Sequence, residues 1–150
     1  MDQRDNINTE EVDKFNDLAN EWWNPYGSFA PLHKLNPLRF EYIRENSNLD
    51  GKTAIDVGCG NGRHLKSLGF QLSNAKIIGI DQSVQEINKL QSEFSEHICK
   101  NQNSYKFIMG DVRNIQIKDN SQDLVICSEV LEHVPNFKDV LKECYRILRP

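Results

Sequence analysis

The stretch Thr53-Ala-Ile-Asp-Val-Gly-Cys-Gly-Asn-Gly62 constrains this chain more than any other, and Ile77-Ile-Gly-Ile-Asp81 completes it about twenty residues later. An apolar run ends in a glycine-rich turn, a helical segment follows, and a second apolar run ends in a carboxylate. That is the layout of a nucleotide-type cofactor site at the carboxyl ends of two parallel strands. Gly58 and Gly60 let the backbone pass close to a ligand where a Cβ would collide. Asp81 stands where it can accept hydrogen bonds from a ribose diol.

The glycine spacing narrows the cofactor. A dinucleotide fingerprint, G-x-G-x-x-G/A, needs a small third residue so that the helix packs closely on the strand. Here Leu65 occupies that place, and Asp56 interrupts a strand that is usually apolar in NAD-binding proteins. Asp56-x-Gly58-x-Gly60-x-Gly62 instead resembles motif I of the class I methyltransferases, which bind S-adenosylmethionine. In that family the acidic residue orders the loop near the methionine amino group. The resemblance implies a Rossmann-like α/β fold, a parallel sheet with helices on both faces.

The pattern along the chain agrees with alternating β and α. Asn8 and Glu11 can form a capping box, after which Val12, Phe15, Ala19 and Trp22 recur at helical spacing. Residues 24–31 read as a turn-rich loop, and a second helix is expected from about Pro37 to Asn46, with Leu38, Tyr42 and Ile43 inward. Strands are expected at about 53–57, 77–80, 105–109 and 123–127, and helices near 62–70, 83–99 and 136–148. Residues 1–50 thus form a helical extension, and residues 51–150 the amino-terminal part of a single cofactor-binding domain. The family's sheet has seven strands and four are expected here. The chain therefore reads as part of a longer protein, its fourth strand left at the sheet edge.

Composition excludes several classes. The 18 basic and 22 acidic residues leave a net charge of -4, which argues against nucleic acid as the main partner. No apolar run approaches the roughly twenty residues of a membrane helix. The first residues lack a signal-peptide core and the Arg-rich character of a transit peptide. Cys59, Cys99, Cys127 and Cys144 form no C-x-x-C pair and are expected to be reduced thiols.

The amino-terminal residues sharpen the resemblance. Phe15 through Pro25, which includes Trp22-Trp23, then Leu32-His33 and Asn36-Pro-Leu-Arg39, are similar to the O-methyltransferases of ubiquinone biosynthesis, which methylate catechol-type hydroxyls on polyprenylated rings. The resemblance runs from about residue 12 to the end. It implies that Arg39 pairs with the methionine carboxylate. Two adjacent tryptophans cannot share one helical face, so one of Trp22 and Trp23 is expected to cover a cofactor or substrate cleft. Asp111, after the third strand, is expected at the adenine amino group, and Ser128 is grouped with the cofactor-binding residues. It also implies a lipid-soluble polyprenylated phenol as substrate, with peripheral membrane association or membership of a biosynthetic complex. The expected location is the cytoplasm, at the inner membrane periphery, or the mitochondrial matrix if the source is eukaryotic.

Glu129, Glu132 and His133 fall at i, i+3 and i+4, so one helical turn would gather them on one face. Two carboxylates and an imidazole so placed favour a divalent cation. The resemblance to eukaryotic family members with the same Glu-x-x-Glu-His implies magnesium, which needs only a few carboxylates. His133 is also the candidate general base for a phenol, with or without metal.

Two other readings stay open on sequence. Asn61-Gly-Arg-His64 resembles the loop of the wobble-uridine tRNA methyltransferases, where ubiquinone enzymes more often carry three consecutive glycines. A chain lacking the later strands could also be a non-catalytic fragment or subunit that binds cofactor or partners only.

Overall fold

The computed structural model describes Glu10, Asp13, Lys14, Glu21 and residues 24–95 and 101–150. The residues expected to cap and line a first helix, together with Trp22, Trp23 and Cys99, lie outside the described residues. In chain order the elements are α1 (Ala30–Asn46), β1 (Thr53–Val57), α2 (Arg63–Gln71), β2 (Lys76–Asp81), α3 (Val84–Ser95), β3 (Ser104–Met109), β4 (Leu124–Cys127), a 3-10 turn at Leu131–His133 and α4 (Phe137–Ile147). The strands form one parallel sheet in the order β3-β2-β1-β4. The order reverses at β1, and β4 lies at one edge as expected.

Each strand alternates its side chains between two apolar layers. Ala54 and Ile77 join Phe40, Leu65, Leu68, Leu90 and Phe94 on one face, beneath α1, α2 and α3. Ile55, Val57 and Ile80 join Val112, Ile115, Val130, Val140 and Ile147 on the other, beneath α4. Helices on both faces make the central strands apolar throughout, which is why β1 and β2 read as apolar runs rather than strict alternation.

Leu65, the residue that excluded a dinucleotide fingerprint, has a local explanation. A Cβ on Gly79 of β2 would lie 2.8 Å from its Cδ1 and 3.0 Å from the Cys59 sulfur. The close helix-to-strand approach is therefore supplied by a glycine in the strand, not by a small residue in the helix. Asn103 secures the far end of the same helix. Its side-chain oxygen accepts the Ala75 N–H at 2.9 Å, and its amide donates to the carbonyls of Gly69 and Leu72 at 3.0 and 2.8 Å.

Helix α1 departs from expectation in both start and facing. It begins at Ala30, seven residues before Pro37, with Pro31 in the first turn and Pro37 inside. Proline at a first turn costs nothing, because that N–H has no helical partner. Leu38 and Tyr42 are 61% and 69% exposed, whereas Asn36 and Phe40 are buried and Ile43 is half-buried. Apolar residues occur all round this helix, so tertiary contact rather than periodicity selects its inner face. Phe40 enters the core and packs against the His64 ring, with centroids 5.6 Å apart.

Candidate functional site

A cleft opens at the carboxyl ends of β1, β2 and β4, where the strand order reverses and where open α/β sheets bind their ligands. Three segments build its walls. The glycine loop from Gly58 to Gly60 runs along its floor, Asp81 and Ser83 close one side, and Ser128, Glu129, Val130, His133 and Val134 close the other. Helix α1 covers it with Leu32, Asn36 and Arg39.

The loop begins as an extension of the sheet: Gly58 N–H and Cys59 N–H both donate to the Ile80 carbonyl, at 2.8 and 3.0 Å. Gly58 has φ +75°, and a Cβ there would lie 2.5 Å from the Val130 Cγ2. Gly60 has φ +46°, and a Cβ there would meet nothing within 4 Å. The first glycine is thus required by packing and backbone. The second is required by backbone conformation and faces open space into which a ligand fits.

Asp81 binds the loop to the start of α3. One carboxylate oxygen accepts the Gly60 N–H and the other the Ser83 N–H, both at 2.9 Å. Ser83 then caps α3, its hydroxyl accepting the Glu86 N–H at 3.3 Å. Burial raises the Asp81 pKa, and the backbone N–H groups of Ser83, Gly60 and Gln82 offset only part of that rise. Burial also raises Glu86, with the nearby charges of Asp81 and Glu93 adding to it against the attraction of Lys89. Cys59, buried beside Asp56 and Asp81, is raised well above an ordinary thiol, so it is a packed neutral group and not a nucleophile.

Arg39 crosses the cleft from α1. Its guanidinium donates to Asn36 Oδ1 at 3.2 Å, Ser128 Oγ at 3.0 Å and Glu129 Oε1 at 2.6 Å. The three acceptors fix a planar donor group at the cleft mouth. Asn36 is buried because it serves this guanidinium.

The remaining expected residues are placed less uniformly. Asp56 is fully buried in β1, beside His64 of α2. Asp111 does not line the cleft; its neighbour Val112 does. The Asp111 carboxylate is held in a fork by Arg113, whose Nε and Nη2 donate at 3.0 and 2.8 Å. Burial alone would raise this carboxyl, but the hydrogen bonds and charge of Arg113 outweigh it and hold it below the usual range.

The single helical turn expected for Glu129, Glu132 and His133 does not form. Glu129 has φ +56°, outside helical conformation, and the 3-10 turn begins only at Leu131. Glu129 turns to Arg39, while Glu132 Oε1 lies 3.8 Å from His133 Nε2. Glu129 and His133 line the cleft and Glu132 does not. Among the described residues, no three His, Cys, Asp or Glu side chains are gathered to hold a metal ion. The donor set does not fit magnesium as expected, because its nearest carboxylate is committed to a guanidinium.

Several lining residues went unread in the sequence: Leu32, Asn36, Arg63, His64, Ser83 and Glu86. Leu32 and Asn36 stand inside the segments that carry the family resemblance, and Arg63 and His64 inside the loop that resembles the tRNA methyltransferases. Ser83-Val-Gln-Glu86 is a capping-box pattern that marks where α3 enters the site. Among the described residues, no helix is long and apolar enough to cross a membrane.

Comparison with known proteins agrees with this geometry. The chain is 36% identical over 145 residues to a ubiquinone biosynthesis O-methyltransferase from Coxiella burnetii (strain Dugway 5J108-111), covering 97% of this chain and 59% of that protein. It is 34% identical over 152 residues to one from Aliivibrio fischeri (strain ATCC 700601 / ES114), covering 100% of this chain and 62% of the relative. The chain thus spans about three-fifths of the length of these relatives. A crystal structure of a putative S-adenosyl-L-methionine-dependent methyltransferase from Methanococcus maripaludis superposes with a TM-score of 0.73, at 24% identity over 92% of this chain and 59% of that one. The fold is that of the S-adenosylmethionine-dependent methyltransferases. Residues 55–150, which hold all but the first two residues of the sheet and all its crossovers, match the family model described as a methyltransferase domain. The glycine loop, the switch-point cleft and this match together establish that the chain belongs to the methyltransferase domain family.

Proposed function

We propose that the protein transfers a methyl group from S-adenosylmethionine to a phenolic hydroxyl on a catechol-type, polyprenylated ring intermediate of ubiquinone biosynthesis. One observation carries the substrate reading. Helix α1 lies outside the matched methyltransferase domain, yet it puts Arg39 into the cleft, and the likeness to ubiquinone biosynthesis O-methyltransferases extends through it. In this reading residues 1–50 are a cap on the cofactor domain of residues 51–150.

The bound cofactor supplies an already activated sulfonium methyl. The protein's tasks are then positioning and raising the nucleophilicity of a phenol. Gly58 and Gly60 give the loop its close backbone approach. Asp81 holds that loop and offers its remaining lone pairs to the ribose diol. Arg39, steadied by Asn36 and Ser128, takes the methionine carboxylate. Asp111 reaches the adenine end only by sharing its carboxylate with Arg113, so Val112 is the better contact there. A phenol with a pKa of ~10 is mostly protonated at neutral pH. His133, at the cleft wall opposite Asp81, takes that proton as the hydroxyl is methylated. The Arg39 to Glu129 contact leaves magnesium no part in this reading.

The substrate is lipid-soluble, which makes a peripheral membrane location or a biosynthetic complex part of the proposal. The test is transfer of labelled methyl from S-adenosylmethionine to a polyprenylated catechol, with tRNA carrying a modified wobble uridine as the competing acceptor. Label in the catechol that is lost in His133→Ala supports the reading. Label in tRNA alone overturns it.

A further inference from the structure

Asp56 is the fully buried charged residue of β1, and neither of its carboxylate oxygens accepts a hydrogen bond from the protein. A buried carboxylate so placed calls for a compensating cation or proton. The imidazole of His64 lies beside it, with Nδ1 3.3 Å from Oδ2. His64 stands in the first turn of α2, directly after the glycine loop. The Phe40 ring lies against it, tilted by 54°, so the imidazole is held from the α1 side as well.

With the Nδ1 edge turned to Asp56, the Nε2 edge is the free side of the ring. His64 lines the cleft, and its side chain keeps 15% exposure. We infer that His64 is a ligand-binding residue whose Nε2 accepts a hydrogen bond from the ammonium group of the bound cofactor, the carboxylate of Asp56 beside Nδ1 favouring the ring proton there. This rests on the S-adenosylmethionine reading of the cleft, since the ammonium is that of the methionine end.

The chemistry favours an ammonium at this point over a carboxylate. A proton kept on Nδ1 by Asp56 leaves Nε2 of the neutral ring as an acceptor. The negative charge of Asp56 is then balanced across the imidazole by a ligand cation. Arg39 is a donor-only group and suits the carboxylate of the same amino acid. The two ends of one zwitterion are thereby read by different residues, Arg39 on α1 and His64 on α2.

The test uses the whole 150-residue chain and three probes. S-adenosylhomocysteine carries both ammonium and carboxylate, its decarboxylated counterpart keeps only the ammonium, and methylthioadenosine has neither. The variant is His64→Asn, whose amide donates to Asp56 from the δ position but leaves nothing at ε. Affinity for the first two probes should fall about tenfold or more, while methylthioadenosine binds as before. A loss for S-adenosylhomocysteine alone would assign His64 to the carboxylate, and an equal loss for all three would make it structural. Either result, or no change at all, overturns the inference while leaving the cofactor reading intact. Failure of the unsubstituted chain to bind any probe overturns both. Nitrogen NMR on the unsubstituted chain gives a check independent of the variant's folding. Nδ1 of His64 should carry the proton, and the Nε2 resonance should move with S-adenosylhomocysteine but not with methylthioadenosine. A proton on Nε2 with Nδ1 bare in the neutral ring contradicts the assignment.

Discussion

The Arg39 guanidinium sits 2.6 Å from the Glu129 carboxylate, joining α1 to the loop that leaves β4 across the mouth of the cleft. Both side chains are more than a third exposed, so the pair adds under about 1 kcal/mol to stability. Its larger consequence is orientation. Arg39→Ala should therefore leave thermal unfolding within a few degrees of the unsubstituted chain. The same variant should weaken S-adenosylhomocysteine binding by about 1.5–3 kcal/mol, the range for hydrogen bonds to charged groups. Calorimetry with the decarboxylated counterpart is the control. Equal weakening for both ligands would return Arg39 to a purely structural role.

Gly58 and Gly60 separate stability from binding. Each has positive φ, so alanine at either is strained by about 1 kcal/mol. Only at Gly58 does the new methyl also meet a neighbour, the Val130 side chain at 2.5 Å. Gly58→Ala should be the more destabilising, by about 1–3 kcal/mol beyond the shared strain. Gly60→Ala should fold nearly as well yet lose cofactor affinity. Denaturant melts paired with ligand titrations check the ordering, and it fails if Gly60→Ala binds normally.

Much of the sheet could be read from residues alone, and the reasons are physical. Strands flanked by helices on both faces are continuous apolar runs, so β1 and β2 fall within a residue of expectation. The glycine loop carries its own chemistry at fixed spacing and lands where the motif places it. Helix α1 resisted because two prolines suggested a loop and because apolar residues on every side left its facing undetermined. Leu38 and Tyr42 point outward because Phe40 found the core pocket beside His64. The Glu129 turn was invisible for a different reason. Spacing assumes helical backbone, and a positive φ at Glu129 breaks the pattern that would bring it to Glu132 and His133. The place of Asp111 after β3 points to the cofactor, whereas Arg113 two residues on claims its carboxylate.

A second ion-pair network predicts acid behaviour. Glu143 accepts the Ile115 N–H at 2.7 Å and pairs with Arg146, which also donates to the carbonyls of Ile115 and Ile117. The Arg146 hydrogen bonds hold the Glu143 carboxyl below its usual pKa. A depressed folded pKa gives stability that is fully present above the unfolded value, about 4.3, and is lost as pH falls through the folded one. Unfolding free energy should thus decline below about pH 4, and Glu143→Gln should flatten part of that slope while costing about 1–3 kcal/mol at neutral pH. Urea titrations from pH 3 to 7 provide the measurement. An unchanged slope would show that Glu143 is not held this way in solution.

Asn103 should be the costliest polar residue to truncate. It is 2% exposed and makes three hydrogen bonds to backbone groups of α2 and of the segment before β2. Asn103→Ala leaves the Ala75 N–H and the Leu72 carbonyl unpaired in the interior, while the Gly69 carbonyl keeps the Asn101 amide, a loss of about 2–4 kcal/mol. A midpoint shift in chemical denaturation smaller than that expected for 1 kcal/mol would contradict the packing described for this corner.

The central claim is that the switch-point cleft is an S-adenosylmethionine site whose glycine loop is held by Asp81. The most direct measurement is a calorimetric titration of the chain and of its Asp81→Ala variant with S-adenosylhomocysteine. One-to-one binding to the chain is expected, with a loss of about 1.5–3 kcal/mol in the variant and circular dichroism showing both folded. Absence of binding to the folded chain, or equal affinity in the folded variant, would contradict it.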